Sequence, residues 1–272
     1  MTTGLGRTPY YVMTAGLAIL FLFPMVWSLL ASVSPQGGTK QAFGYGLGNY
    51  ATLLNYGHGA PLYFFNSVVI SLCTVALTIV VSLFGGYAFA RFTFPGRNAL
   101  FLLTLAILMV PYGTMLIPLY VLLNALGQQN SLVGVVLVLS LFQLPFATFM
   151  MRISFETVPR ELEESALVDG AGTLAMLRRI FLPAVRPGII TVGLFGFLAA
   201  WNDFITPLIL ISDDHKSPLP LAIASLRQQT SYTVDYGATE AGVVVLAVPC
   251  LLIFILLQRY YVSGFMSGAV KG

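Results

Sequence analysis

The stretch SVVISLCTVALTIVVSLFGGYAFA, residues 67–90, contains no charged side chain. A helix crosses the hydrocarbon core of a membrane with about 20 predominantly apolar residues, so this stretch is long enough to span it. Inside lipid every backbone N–H and C=O group must find its partner within the segment, which favours a helix over an open strand. Residues 67–90 therefore predict a transmembrane helix.

Further stretches of the chain are also long and apolar enough to span a membrane. They run near 10–33, 98–125, 131–151, 187–211 and 241–258, and each contains at least one proline. Neighbouring helices in a membrane protein tolerate the kinks that prolines make. We therefore predict an all-α, polytopic membrane protein with about six transmembrane helices. No repeat or linker divides the sequence, so its 272 residues are expected to form a single membrane domain.

The composition agrees with this class of protein. Hydrophobic residues make up 57% of the chain and charged residues only 8%, whereas soluble domains carry about 25% charged residues. The basic residues form no stripe of the kind that binds nucleic acid, so none is expected as a partner. Cys73, Cys250, His58 and His215 have no companions at metal-ligand spacing, so no metal site is predicted. No nucleophile stands near a base, and we expect a chain without catalytic residues.

Lysine and arginine residues predict the orientation of the spans. Six spans place both termini, the 91–98 loop and the 152–186 loop on one side of the membrane. That side holds ten of the 13 basic residues, namely Arg7, Arg91, Arg97, Arg152, Arg160, Arg178, Arg179, Arg186, Arg259 and Lys271. Because basic residues accumulate on the cytoplasmic side, both termini and the 152–186 loop are predicted to be cytoplasmic.

Residues 152–186, here called the charged loop, are polar in an otherwise apolar chain. They hold ten charged residues: Arg152, Glu156, Arg160, Glu161, Glu163, Glu164, Asp169, Arg178, Arg179 and Arg186. The pattern predicts a short helix, a break and a second helix. Thr157 is the expected N-cap of the first helix, Gly170 and Gly172 are expected to end it, and Thr173 to cap the second.

Spacing alone leaves three interpretations of the charged loop open. The loop is a simple connection, an amphipathic helix that lies on lipid, or a short helix that docks into a groove of a partner protein. A helix on lipid usually carries a Lys- and Arg-rich polar face, whereas the first helix here is acidic.

Residues 164–183, ESALVDGAGTLAMLRRIFLP, resemble the EAA motif of bacterial importers of the ATP-binding-cassette class. In that motif E-A-A is followed after three residues by glycine, and after nine more by I-x-L-P. Every spacing is kept, and Ser165 in place of alanine is the one departure. The stretches 66–97, 108–131, 158–172 and 201–210 are also similar to carbohydrate-type permeases of this superfamily, especially the shorter maltose-transporter subunit. The likeness covers about three quarters of the chain, from Asn66 onward.

The resemblance implies a role and a set of partners. In such permeases the helix around the EAA motif sits in a cleft of a cytoplasmic ATPase and receives its movement. The residues that the resemblance assigns to this coupling are Glu161, Glu164, Ser165, Ala166, Asp169 and Gly170. The implied partners are a second permease subunit in a heterodimer, two ATPase subunits or domains that hold ATP and Mg²⁺, an extracytoplasmic solute-binding protein, and the lipid of the bacterial plasma (inner) membrane. No cofactor is expected in this chain.

The energy source follows from what the sequence lacks and from the resemblance. No G-x-x-x-x-G-K-[ST] motif occurs, so the chain has no ATP site of that type. Ion coupling requires titratable groups inside the membrane, and Asp203 is the clear candidate. We therefore expect a permease subunit of an ATP-driven, binding-protein-dependent importer of a carbohydrate or related polar solute. An ion-coupled secondary transporter that uses Asp203 is the alternative.

The stretch WNDF, residues 201–204, has two interpretations. Asn202 and Asp203 bond to backbone freed near Pro207 or to a neighbouring helix, or they line a translocation path together with Trp201. Outside the membrane, the loops 34–65 and 212–238 lie on the side where a solute-binding protein is expected to dock.

Overall fold

The computed structural model describes residues 7–35, 45–229 and 235–269, with side chains at 9–35, 45–227 and 235–258. Lys40 and Lys271, which contributed to the predicted orientation, lie outside these ranges. The part of the chain that the structure describes is helical, without a strand. Its α-helices are α1 (Arg7–Val33), α2 (Gly48–Leu54), α3 (Ala60–Arg91), α4 (Arg97–Ala106), α5 (Tyr112–Ala125), α6 (Leu132–Glu156), α7 (Arg160–Val168), α8 (Thr173–Met176), α9 (Leu182–Ala184), α10 (Arg186–Asn202), α11 (Ile205–Leu210), α12 (Leu219–Gln229) and α13 (Tyr236–Ala269).

In the described part of the chain, four helices are long and apolar enough to cross a membrane without a break, namely α1, α3, α6 and α13. Two further pairs of helices are long and apolar enough only when taken together, and each pair is bent at a break. The helical segment 97–109 meets α5 at 105°, and the segment 173–184 meets α10 at 73°. Counting each bent pair as one span gives up to six spans. The predicted all-α membrane protein with about six spans is therefore confirmed, although two of the spans are not continuous.

The first of these breaks has a local cause in the sequence. Val110 is extended, with ψ of 125°, and stands before Pro111, which has no N–H and disfavours helical geometry in the residue before it. The predicted span 98–125 is consequently two helices. The predicted span 187–211 has a break of its own, separate from the 73° bend. Its first helix, α10, ends at Asn202, Asp203 is extended with ψ of 129°, and α11 begins at Ile205.

The chain divides into two compact units, the first formed by Met1–Pro61 and Ala222–Pro249. The core of this first unit consists of Leu53, Ala60, Leu226, Ala238 and Ala241. Asn49 is fully buried there, and its amide donates hydrogen bonds to the carbonyl oxygens of Ser32 and Ser34 at 2.9 and 3.0 Å. These bonds join the end of α1 to α2.

The second unit, Leu62–Leu221 and Cys250–Gly272, contains α4 to α11 and most of α3. Glycines bring its helices together near the end of α6. A Cβ atom on Gly86 would lie 2.5 Å from the Cβ of Met151, and one on Gly188 would lie 2.8 Å from the Cβ of Ser154. Only glycine allows α3 and α10 to approach α6 this closely. Three membrane helices therefore meet next to the charged loop.

Candidate functional site

The first helix of the charged loop, α7, begins after Pro159. The predicted N-cap, Thr157, is wrong: Thr157 ends α6, and its hydroxyl donates to the carbonyl oxygen of Ser154 at 2.8 Å. Pro159 takes the position before α7, with φ of −56° and ψ of 140°. Glu161 and Glu163 lie in the first turn of α7, where negative charge is favourable to the helix dipole.

The end of α7 is a Schellman motif centred on Gly170. Gly170 has φ of 74°, a left-handed conformation that costs glycine nothing. Its N–H bonds to the carbonyl oxygen of Leu167 at 3.0 Å, and the N–H of Ala171 bonds to that of Ala166 at 2.9 Å. Gly170 therefore ends the helix as the sequence predicts. Gly172 is instead extended before α8, which begins at Thr173.

The inner side of α7 is anchored by Ala166, the third residue of the EAA motif. Ala166 is 7% exposed and belongs to a core cluster with Phe155, Val158, Met176 and Phe181. This cluster joins the ends of α6 and α7 to the segment that follows α8. The small alanine side chain thus lets α7 lie directly on the core of its own subunit.

The outer side of α7 combines carboxylates with exposed apolar side chains. We call it the contact face, formed by Glu161, Leu162, Glu164, Ser165, Leu167 and Val168, all exposed. Leu162 is 49% exposed, Leu167 57% and Val168 88%. The hydroxyl of Ser165 donates to the carbonyl oxygen of Glu161 at 2.7 Å, within the helix. Exposed apolar residues rimmed by charge are typical of a protein-contact surface. Asp169 and Gly170 are exposed beside this face.

Arg91, the last residue of α3, contacts α7 on the side that faces the core. It was not identified from the sequence. Its guanidinium donates to the carbonyl oxygens of Phe155 and Val158 at 2.5 and 2.6 Å and to the carboxylate of Glu163 at 3.3 Å. Its Cζ atom lies 4.9 Å from the ring centroid of Phe181. An arginine at the end of a span resembles an ordinary interfacial residue, and no sequence signal connects it with an acid 72 positions later.

Asp203 lies at the break between α10 and α11 and has partners there. The hydroxyl of Tyr112 donates to one carboxylate oxygen at 2.9 Å, and the backbone N–H of Thr206 donates to the other at 3.0 Å. The hydroxyls of Tyr112 and Thr206 are also in contact. Because Tyr112 is the first residue of α5, Asp203 connects two helix breaks. This arrangement corresponds to the first interpretation of WNDF, in which Asp203 satisfies freed backbone and a neighbouring helix.

The two other predicted path residues differ in exposure. Trp201 is 1% exposed, packs edge-on against Phe64 at 5.3 Å and stacks on Phe197 at 5.4 Å between ring centroids. Asn202 is exposed, and its amide donates to the carbonyl oxygen of Leu198 at 2.8 Å and contacts the sulfur of Cys250 at 3.8 Å. A role for these residues in a translocation path stays a prediction.

The loop after α11 is attached firmly to the rest of the second unit. The amide of Asn66 donates to the carbonyl oxygens of His215 and Ser217 at 2.9 and 3.0 Å. The side chain of Asn130 accepts bonds from the N–H groups of Ser212 and Asp213, both at 3.1 Å. These hydrogen bonds therefore fix the backbone conformation of the loop 212–218. Within the described ranges, no group of three or more acidic, histidine or cysteine side chains is placed to hold a metal ion.

Comparison with known proteins places this architecture in a family. Residues 79–263 match the family described as binding-protein-dependent transport system inner membrane component. The chain is 32% identical to the diacetylchitobiose uptake system permease protein DasC of Streptomyces coelicolor, with 98% of each chain covered. It is 34% identical to the arabinooligosaccharides transport system permease protein AraQ of Bacillus subtilis, over 94% of this chain and 92% of that one.

A solved structure has the same fold. It is a chain of a bacterial ABC transporter involved in the import of the acidic polysaccharide alginate, with a TM-score of 0.82 and 18% identity, over 96% of this chain and 99% of that one. This chain is a member of the family of binding-protein-dependent transport system inner membrane components.

Proposed function

We propose that this chain is a permease subunit of an ATP-driven importer and that α7 transmits the movement of a cytoplasmic ATPase to the membrane helices. The observation that carries the proposal is the two-sided construction of α7. Its contact face is exposed and mixes carboxylates with apolar side chains, while Ala166 and Glu163 fix its other side to α3 and α6. A connecting loop would need neither feature, and a lipid-bound helix would need basic residues where Glu161 and Glu164 stand.

The contact face suits a cleft with basic and apolar walls. Glu161 and Glu164 can accept charge-assisted hydrogen bonds from donors in such a cleft, while Leu167 and Val168 bury apolar surface against it. Gly170 and Asp169 shape the turn that follows. ATP and Mg²⁺ would be held by the partner ATPase, with two ATPase subunits or domains serving this chain and a second permease in a heterodimer.

The proposed solute is a carbohydrate or a related polar molecule. The uptake systems named for the relatives above handle diacetylchitobiose and arabino-oligosaccharides, and the solved relative imports alginate. In this proposal the loop 212–218 faces a solute-binding protein outside the cell, and Asn202 lines the path through the bacterial plasma membrane. Both termini lie in the cytoplasm. The bonds of Asp203 to Tyr112 and Thr206 give it a structural task, so the ion-coupled alternative is not retained.

The contact face can be tested with a charge at its most exposed apolar residue. Val168→Asp leaves folding intact because Val168 is 88% exposed, but it puts a charge where the proposal buries an apolar side chain against the cleft. Thr93→Asp, in the exposed loop after α3, is the matched control. We expect Val168→Asp to lose the co-purifying ATPase and ATP-driven uptake, and Thr93→Asp to keep both. Equal ATPase recovery and uptake in the two variants would refute the proposed docking.

A further inference from the structure

The side chain of Arg91 is the point at which four segments of the second unit meet. The residue ends α3, and its side chain is 4% exposed. Its partners come from the end of α6, from α7 and from the segment after α8, as Phe155, Glu163 and Phe181. A charge this deeply buried is costly unless it has partners. Carbonyl oxygens and a carboxylate accept bonds from its two terminal nitrogens and an aromatic ring lies against it, while Nε is buried without a hydrogen-bond partner.

The contacts of Arg91 have a geometry that another cation cannot reproduce. One terminal nitrogen donates to two backbone carbonyl oxygens at the end of α6, and the other donates to Glu163. The planar guanidinium presents its donors in a rigid fork and its face to an aromatic ring, whereas lysine offers a single flexible ammonium. A lysine at this position could therefore bond to the carbonyl oxygens at the end of α6 or to Glu163. It could not make both sets of bonds and also contact the ring of Phe181.

Tyr87, one helical turn before Arg91, extends the same connection. Its ring packs edge-on against the rings of Phe155 and Phe181, each at 5.3 Å between centroids. The last turn of α3 thus touches α6 and the charged loop through both an ionic and an aromatic contact. Gly86 adds the close backbone approach to α6 beside them.

From these contacts we propose that Arg91 is a positioning residue for transport, which makes the end of α3 and helix α7 move as one body. The proposal rests on the function proposed above, because α7 must first receive the movement of an ATPase. Two of the three hydrogen bonds of Arg91 go to carbonyl oxygens. These two bonds hold α3 to Phe155 in α6 and to Val158, two residues before α7, while the third holds α3 to Glu163 on α7 itself. Replacing the arginine removes all three bonds, whereas replacing Glu163 affects only the third.

The first test compares sugar uptake with ATP hydrolysis in vesicles that contain the whole transporter. The probes are radiolabelled diacetylchitobiose and arabino-oligosaccharides, and ATP hydrolysis is measured in the same vesicles. Arg91→Gln should lower the sugar taken up per ATP on the order of tenfold, within the 5- to 150-fold range usual for coupling between two sites. Arg91→Lys should be intermediate. Glu163→Gln should stay within about threefold of wild type, because its amide oxygen can still accept a bond and the bonds to the carbonyl oxygens remain.

The control is Arg97→Gln, since Arg97 donates to the carbonyl oxygen of Phe92 at an exposed site. It should leave the ratio of sugar to ATP unchanged. A role of Arg91 in folding alone would reduce uptake and ATP hydrolysis in equal proportion, with less assembled complex and an unchanged ratio. That result, or a wild-type ratio in Arg91→Gln, would overturn the proposal.

The second test needs no sugar. Spin labels at Thr93 and Thr173, both exposed, report the distance between the end of α3 and the charged loop. In the wild type this distance should be the same with and without ATP and vanadate. In Arg91→Gln it should shift or broaden after trapping with vanadate, and an unchanged narrow distribution would count against the proposal. If no ATPase accompanies the wild-type chain, the proposed function is wrong. If the wild type couples uptake to ATP hydrolysis and the Arg91 variants do so equally well, only the inference about Arg91 is wrong.

Discussion

Replacing Gly170 with alanine should loosen the end of α7 through the backbone rather than through a clash. A Cβ atom at Gly170 would meet nothing within 4 Å, but the residue has φ of +74°. A left-handed conformation costs an L-residue about 1–2 kcal/mol. The two hydrogen bonds that close the Schellman motif depend on this conformation. Opening of the motif should therefore become about 5- to 30-fold more frequent in Gly170→Ala.

Gly172 provides a control two residues away. A Cβ atom there would also meet nothing within 4 Å, but Gly172 has φ of −72°, which any residue adopts. Gly172→Ala should therefore leave the motif as stable as in the wild type. Gly170→Asn should have a smaller effect than Gly170→Ala, because asparagine tolerates the left-handed region better.

Hydrogen exchange followed by mass spectrometry can measure this opening in peptides that cover 166–172. We expect exchange to quicken in the order wild type, Gly170→Asn, Gly170→Ala, with Gly172→Ala matching the wild type. Sugar taken up per ATP should fall in the same order if the end of α7 transmits movement. Equal exchange in Gly170→Ala and Gly172→Ala would refute the conformational argument.

Two further substitutions test the packing of the spans and the role of Asp203. Gly86→Ala places a Cβ atom 2.5 Å from that of Met151 and should cost about 1–3 kcal/mol of stability. Gly85→Ala meets Thr148 at an ordinary 3.6 Å and should melt like the wild type, so equal thermal unfolding midpoints for both variants would contradict the close approach. In Asp203→Asn the amide oxygen can still accept from the N–H of Thr206, and the amide N–H can donate to the hydroxyl oxygen of Tyr112, so ATP-driven uptake should be retained. Loss of uptake with intact ATP hydrolysis would contradict a purely structural role of Asp203.

The spans were predictable because apolarity over about 20 residues is a local property. Whether a given proline breaks a span could not be predicted from the sequence. Pro118, Pro145 and Pro249 lie inside continuous helices, whereas the chain bends by 105° at Pro111. All four stand in apolar runs, so the difference depends on how neighbouring helices satisfy the freed backbone groups.

The motif of the candidate site could be predicted from the sequence, but the contacts that hold α7 in place could not. Gly170 was predicted to end a helix because glycine favours the left-handed turn that the structure shows. The pair of Arg91 and Glu163 depends on the packing of α3 against α6, which no local pattern encodes.

The most direct measurement is to tag this chain, purify it gently from its native membrane and identify the proteins that accompany it, then test uptake in vesicles with and without ATP. We expect a P-loop ATPase, a second permease and a solute-binding protein, with uptake that requires ATP. A chain that purifies alone and transports in ATP-free vesicles under an ion gradient would contradict this expectation.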